Sequence, residues 1–169
     1  MARRIRKTKA EGRIAHKKTI VDNITFDSKT ESKYYIYLKE LKAKGIVTKI
    51  ELQVPFILQD KYIIFNNKVI YGSDKDFNKI KRKYKCPTIL AIKYIADFVV
   101  TYSDGHVEVI DTKGILTPEF KIKEKLLKCK YPNINFKVLA LVKNEWVDYY
   151  EHQKELRLKK RQANKKGGK

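Results

Sequence analysis

Two aspartates and a lysine stand out because their types and spacing suit chemistry on a phosphate group. Asp111 and Lys113 lie two residues apart at the end of a β-rich run, and residues two apart in a strand point to the same face. Asp97 lies within the preceding β-rich run, between Ile95 and Val99 on its own face. A buried carboxylate without a partner costs several kcal/mol. Both aspartates should therefore be paired or bound to a metal ion.

These side chains are a suitable set for metal-dependent hydrolysis of a phosphodiester. Mg²⁺ binds hard oxygen ligands, commonly one or two carboxylates with several waters retained, and we expect Mn²⁺ to substitute. Such a metal stabilises charge on the phosphate and lowers the pKa of a bound water. Lys113 would orient or deprotonate that water and stabilise negative charge, and the Thr112 backbone carbonyl is a further candidate ligand. The competing interpretation is a surface ion pair between Asp111 and Lys113, worth about 0–1 kcal/mol.

The elements around these residues predict how they are positioned. Residues 92–102 and 106–114 read as strands, and Ser103-Asp104-Gly105 between them indicates a hairpin. Thr117 and Pro118 are a capping residue and a favoured first residue for a helix over 119–130. A crossover helix followed by the apolar strand 135–142 predicts a parallel strand pair. The apolar stripe predicted for this helix comprises Phe120, Ile122, Leu126, Leu127 and Cys129.

The upstream half predicts a helix and further strands. Ser28 with Glu31 has the spacing of a capping box, and the helix that follows should end at Gly45. Residues 46–58 alternate as a half-buried strand in which Pro55 marks an end, an edge or a bulge. Residues 61–71 form an extended pair turning at Asn66-Asn67, and 72–88 read as a surface loop with at most one helical turn. The predicted fold is a mixed sheet flanked by helices, α/β or α+β.

The charge of the chain indicates a polyanionic partner. The 169 residues hold 39 Lys and Arg against 19 Asp and Glu, a formal net charge of +20. Such a charge favours nucleic acid first and an anionic membrane surface second, although Lys-rich surfaces can also serve solubility alone. No run approaches the ~18 apolar residues of a membrane span. Two cysteines and the absence of an apolar leader segment predict a cytoplasmic protein.

Both ends of the chain are strongly basic. Residues 1–18 hold eight Lys or Arg and one Glu, which predicts a flexible arm, and residues 151–169 read as a basic tail with a helical start. Residues 19–150 between them are predicted to form one domain. Residues with phosphate-binding potential are spread over the arm, the 75–85 loop and the helix 119–130: Arg13, Lys17, Lys18, Lys81, Arg82, Lys83, Lys121 and Lys123.

The segment YIADFVVTYSDGHVEVIDTKG resembles the core of the PD-(D/E)XK nuclease superfamily. Asp97 falls in the first acidic place of that pattern, and Asp111-Thr112-Lys113 matches its (D/E)-x-K. The upstream segments FDSKTESKYYIYL and ELQVPFIL resemble small phage-encoded members, commonly labelled endonucleases or Holliday junction resolvases. The resemblance covers roughly residues 16–142. One departure is Ala96, where the pattern has a Pro without a chemical role.

The resemblance implies a restriction-endonuclease-like αβββαβ core and metal-dependent hydrolysis of DNA. An acidic residue on the first core helix often completes the metal site in this superfamily, and Glu31 matches that position, with the capping box as the alternative, structural interpretation. Gln53 is an accessory candidate for contact with metal, water or phosphate, against the alternative of an exposed strand residue. Lys121 and Lys123 would face phosphates of the cleaved strand, unless they simply form a solvated helix face.

The expected substrate is branched DNA. Dispersed phosphate contacts carry no sequence code, and no helix-turn-helix or zinc-finger pattern is present, so selection by DNA structure is favoured. Paired cuts at a four-way junction require two active sites, which predicts a homodimer. The resemblance to phage-encoded members implies that the protein acts in the cytoplasm of a bacterial host. Two alternatives stay open: a nuclease of the same core with a sequence-specific, nicking or exonucleolytic activity, and a non-catalytic basic DNA-binding protein.

Overall fold

The computed structural model describes residues 18–84 and 86–166, and the following elements refer to that part of the chain. Arg13 and Lys17, and with them all but the last residue of the predicted basic arm, lie outside the described residues. The helices are α1 Lys29–Ala43, α2 Asp74–Lys81, α3 Pro118–Lys130 and α4 Tyr149–Lys166. The strands are β1 Thr19–Val21, β2 Ile24–Phe26, β3 Val47–Gln59, β4 Tyr62–Phe65, β5 Lys68–Tyr71, β6 Thr88–Ile89, β7 Ile92–Tyr102, β8 Val107–Thr112, β9 Phe136–Val142 and β10 Glu145–Asp148.

The central sheet has five strands in the order β10-β9-β8-β7-β3. The β3–β7 and β7–β8 pairs are antiparallel, whereas β8 and β9 are parallel. The parallel pair is joined by α3, which confirms the predicted crossover. The order α1, β3, β7, β8, α3, β9 reproduces the predicted αβββαβ arrangement, and the mixed α+β fold is confirmed.

Local capping explains where the two core helices begin. Ser28 accepts a hydrogen bond from the Glu31 amide at the start of α1, and Thr117 accepts one from the Phe120 amide at the start of α3. The apolar stripe predicted for α3 is partly wrong, because Ile122, Leu126 and Cys129 are exposed. The helix instead buries Phe120, Glu124 and Leu127, which follow the spacing of one helical face.

Two apolar clusters cover opposite faces of the sheet. Val109 belongs to the cluster beneath α3, whereas its neighbour Ile110 belongs to the cluster beneath α1. Since successive strand residues point to opposite faces, the sheet is sandwiched between the two helices. The α3-side cluster is Leu58, Tyr94, Ala96, Val109, Leu116, Phe120, Leu127 and Val138. The α1-side cluster is Phe26, Tyr34, Leu38, Val47, Phe98, Val100 and Ile110.

The alternation of side chains along β7 is interrupted at Asp97. Ala96 packs on the α3 side, but Phe98, two residues later, packs on the α1 side. Regular alternation would put both on one face. The partner strand is irregular at the same level: Gln53 has a φ of +51°, a left-handed conformation, between Leu52 and Val54, which pair with Phe98 and Ala96. Asp97 therefore lies where the sheet is irregular, and its side chain is not bound by the alternation expected from sequence.

Residues 60–90, which we term the insert, separate β3 from β7 and form a small layer of their own. The strands β5-β4-β6 make a three-stranded sheet, and the predicted turn is confirmed by positive φ values at Asn66 and Asn67. The prediction of a loop over 72–88 is wrong, because α2 makes two turns there. A capping box between Ser73 and Asp76 starts α2 and outweighs the polar composition.

The C-terminal stretch differs from the predicted tail. α4 begins at Tyr149 and continues to Lys166, so the expected boundary at residue 150 falls inside its first turn. Side chains from Lys154 to Asn164 are exposed, and the first turns of α4 pack against β9 and β10. The strong helix propensity of Glu, Lys, Leu, Arg and Gln outweighs the charge repulsion on which the prediction relied. Among the described residues, no helix is long and apolar enough to cross a membrane.

The left-handed residue in β3 generates a stability prediction. A non-glycine residue in this conformation costs about 1 kcal/mol or more, so Gln53→Gly should be more stable to unfolding by urea than Gln53→Ala by about 1 kcal/mol. Both variants remove the side chain, so the difference reports the backbone alone. Equal stability of the Gly and Ala variants would show that Gln53 does not hold the conformation described.

Candidate functional site

The predicted aspartates meet where β7 and β8 stop pairing. The ladder between these strands extends to the pair Phe98–Ile110. Beyond it, Asp97 Oδ2 accepts a hydrogen bond of 2.8 Å from the Thr112 amide and one of 3.2 Å from the Thr112 hydroxyl. A side-chain carboxylate thus takes the position of a backbone acceptor at the end of the ladder. This contact fixes Asp97 next to the last residues of β8.

Asp111 and Lys113 complete a compact charged group with Asp97. Asp111 is only 1% exposed, and its Oδ2 accepts a hydrogen bond from the Tyr94 hydroxyl. Its Oδ1 contacts the Lys113 ammonium without an aligned hydrogen-bond donor. The same ammonium lies 3.6 Å from Asp97 Oδ2. Lys113 therefore bridges two buried carboxylates.

Glu31 approaches this group from the first turn of α1. Its side chain is 7% exposed, and its Oε1 accepts a hydrogen bond of 2.8 Å from the Ser28 hydroxyl. The Glu31 carboxylate interacts electrostatically with both Asp97 and Lys113. Ser28 therefore caps α1 through the Glu31 amide, while the Glu31 carboxylate binds the Ser28 hydroxyl and lies near the charged group.

Burial of these charges shifts their protonation. Burial raises the pKa of Asp97 to about 7, and the Asp111 carboxylate adds to the increase. Burial also raises the pKa of Glu31. For Lys113, burial lowers the pKa, but Asp97 and Asp111 outweigh it and the net change is upward. Lys113 is thus a stable cation here, which favours an electrostatic role over that of a general base.

The donor chemistry fits a small hard cation. Within residues 18–84 and 86–166, no three His, Cys, Asp or Glu side chains are grouped closely enough to hold a metal. Mg²⁺ requires only one or two carboxylates because it retains waters, and Asp97 with Asp111 supplies two. Asp111 Oδ1, which contacts Lys113 but receives no aligned hydrogen bond, is the oxygen of that carboxylate that such an ion would share. Ligation by Glu31 and by the Thr112 carbonyl stays a prediction.

The remaining predicted residues lie at different distances from this group. Gln53 is exposed and lies at the level of Asp97 on the neighbouring strand β3, and its contact with metal, water or phosphate stays a prediction. Lys123 is partly buried and ion-paired with Glu119 at 2.7 Å, which reduces its availability to phosphate. The exposed lysines and arginine are Lys18, Lys81, Arg82, Lys83 and Lys121.

Tyr94 is a site residue that sequence reasoning did not identify. Its ring is buried in the α3-side cluster, and its hydroxyl donates to Asp111. This contact leaves one oxygen of Asp111 to face Lys113. A signal was present in the sequence, since a tyrosine within an apolar strand requires a hydrogen-bond partner when buried.

The fold and site define a mixed α+β protein in which two buried aspartates contact a partly exposed lysine where the pairing of β7 and β8 ends. The family described as "Protein of unknown function (DUF1064)" matches residues 12–146. The chain belongs to this family. No curated protein and no solved structure matches the chain. Because the family description names no activity, a function has to be argued from the site.

The contact between Tyr94 and Asp111 can be measured through stability. Tyr94→Phe keeps the ring but leaves Asp111 Oδ2 without its donor, so the free energy of unfolding should fall by about 1–3 kcal/mol. In an Asp111→Ala background, the same change should be neutral or slightly stabilising. Urea denaturation of the four proteins completes the double-mutant cycle. An unchanged cost in the Asp111→Ala background would mean that the hydroxyl acts elsewhere.

The raised pKa of Asp97 predicts a pH-dependent stability without added metal. A carboxyl group whose pKa rises from 3.8 to about 7 on folding favours the folded state in its protonated form. Its contribution is therefore complete below pH 4 and is lost as the pH rises through 7. Asp97→Asn should raise the melting temperature at pH 8 in EDTA and make little difference at pH 4. A variant less stable than wild type at pH 8 would contradict the assignment.

Proposed function

We propose that the protein is a divalent-metal-dependent DNA endonuclease whose active site comprises Asp97, Asp111 and Lys113. The observation that carries the proposal is the burial of two carboxylates against one lysine, where β7 and β8 separate. Such an arrangement is expensive for the fold alone, since buried charges are destabilising without strong compensation. It has a chemical purpose if a cation and a phosphate complete it. The resemblance to the PD-(D/E)XK superfamily supports the same reaction.

Each residue has a distinct role in the proposed reaction. Asp97 and Asp111 would hold Mg²⁺, with the Thr112 amide and the Tyr94 hydroxyl keeping the two carboxylates in place. Bound Mg²⁺ supplies charge stabilisation at the phosphate and a water of lowered pKa. Lys113 stays cationic, so it would neutralise charge on the phosphate and orient the attacking water. Asp97 must lose its proton before it can act as a ligand.

Affinity for DNA is proposed to come from dispersed cations. The net charge of +20 and exposed residues such as Lys81, Arg82, Lys83 and Lys121 provide phosphate contacts with steep salt dependence and no sequence code. We therefore propose branched DNA as the substrate, cut in pairs by a homodimer that carries two active sites. A cytoplasmic location, where DNA and Mg²⁺ are both present, belongs to this proposal.

A cleavage assay tests the proposal. A labelled four-way junction and a linear duplex of matched sequence are incubated with the protein in Mg²⁺, Mn²⁺ or EDTA. We expect paired symmetric nicks on the junction with either metal and none in EDTA. Asp111→Asn should reduce cleavage to background while retaining affinity, because the loss of one negative charge removes a ligand without removing phosphate contacts.

A matched control is available on the same strand. Glu108 is also a buried carboxylate of β8, but it pairs with Lys137 and Tyr102 on the other face of the sheet. Glu108→Gln should cut the junction at the wild-type rate once its melting temperature shows that it is folded. Equal cutting of junction and duplex would retain the nuclease and remove the junction preference. Binding without cleavage in either metal would leave a DNA-binding protein.

A further inference from the structure

The small sheet of the insert has one covered face and one open face. Ile63 and its partner Ile70 point towards α2, where Phe77 is buried. The neighbouring residues of β4 and β5 point the other way. We term this second surface the open face. Its members are Tyr62, Ile64, Val69 and Tyr71, of which the last is 61% exposed.

Aromatic rings are already paired on the open face. The Tyr62 and Tyr71 ring centroids lie 5.7 Å apart. Tyr71 also lines a cleft between the insert and the extended ends of β3 and β7, together with Ile57, Asp60, Lys61 and Lys93. The Asp60 carboxylate in this lining is ion-paired with Lys130 at 3.4 Å. A flat aromatic ring with lysines at the edge of a cleft suits a planar ligand that carries negative charge.

The insert is attached to the central sheet at the end towards which the proposed active site lies. It leaves β3 at Gln59 and enters β7 at Ile92, and Asp97 is five residues further along β7, about 17 Å at ~3.3 Å per residue. Because β8 is antiparallel to β7, its end at Asp111 lies at this same edge. A strand of DNA that left the active site along β7 would meet the insert within a few nucleotides.

The charge of the insert selects among possible occupants. Residues 60–90 contain eight Lys or Arg and three Asp, so an acidic ligand is favoured. A second copy of a chain with net charge +20 would bring two positive inserts together. Duplex DNA is acidic, but its bases are stacked on one another and present no free ring faces. Single-stranded nucleic acid combines phosphate charge with ring faces for stacking.

We propose that the open face of the insert binds unpaired bases of a nucleic acid strand, with Tyr71 as the principal stacking residue. The consequence of this binding rests on the proposed function: if the protein is a nuclease, the insert directs it to DNA that has unpaired bases close to the cleaved bond. Lys93 at the edge of the cleft contacts the phosphates of the same strand, whereas Lys61 is already ion-paired with Asp74 at 2.7 Å.

Binding in EDTA tests the inference independently of cleavage. Fluorescence anisotropy is measured with a labelled single strand of mixed sequence and with the duplex of the same sequence. Stacking on one aromatic residue accounts for about 1–3 kcal/mol per base. Tyr71→Ala should therefore weaken single-strand binding roughly 5- to 100-fold, with duplex binding little changed. Tyr71→Phe should restore most of the affinity, because the ring is retained.

Tyr84→Ala provides the matched control. Tyr84 is also exposed, but its ring packs on Phe65 at 4.6 Å, on the α2 side of the insert, so its removal should leave the single-strand preference intact. Equal losses on single strand and duplex for Tyr71→Ala would overturn the inference. The inference would also be overturned if Tyr71→Ala bound the single strand with wild-type affinity, or if the substitution converted a dimer into monomers. If these binding results hold while no DNA is cut in Mg²⁺ or Mn²⁺, the proposed function fails and the binding surface stands.

Discussion

The hydrogen bond from the Thr112 amide to Asp97 is the interaction on which the site depends. It ends the β7–β8 ladder with a side chain, and it places one carboxylate beside a second, Asp111, in an environment with little water. Two buried negative charges so close together destabilise a fold unless a cation accompanies them. Lys113 supplies part of that charge and contacts both carboxylates. When both carboxyl groups are deprotonated, one negative charge is left over, and a bound metal cation would neutralise it.

The surrounding structure maintains this arrangement at some expense to its own regularity. Gln53 adopts a left-handed conformation at the level of Asp97, and the alternation along β7 is interrupted at the same position. Tyr94 extends from the α3-side core to hold one oxygen of Asp111. Strained backbone and buried charge concentrate at functional sites in proteins. The left-handed residue and the two buried aspartates lie at the same level of the sheet. The basic and aromatic insert is attached at this end, which supports a functional site here.

Sequence patterns predicted the core well because local rules govern it. Alternating strands, the Asp-Gly hairpin and the caps at Ser28 and Thr117 all act within a few residues, and the spacing of Asp111 and Lys113 requires only a strand. The pattern could not predict what depends on tertiary contacts. The change of face at Asp97 coincides with the left-handed Gln53 on another strand, and Glu124 is buried in α3 because Lys128 and Tyr150 satisfy it. The full length of α4 does not follow from its charge pattern, because helix propensity outweighs like-charge repulsion there.

The most direct test of the account is the position of the metal ion itself. Crystals grown without divalent cations would be soaked in Mn²⁺, and anomalous differences collected near the manganese edge. We expect a peak within coordinating distance of both Asp97 and Asp111, about 2.0–2.3 Å from at least one oxygen of each, and no peak there in Asp111→Asn crystals. A well-ordered site without manganese, with Lys113 still bridging the two carboxylates, would contradict the claim that this cluster exists to bind a metal.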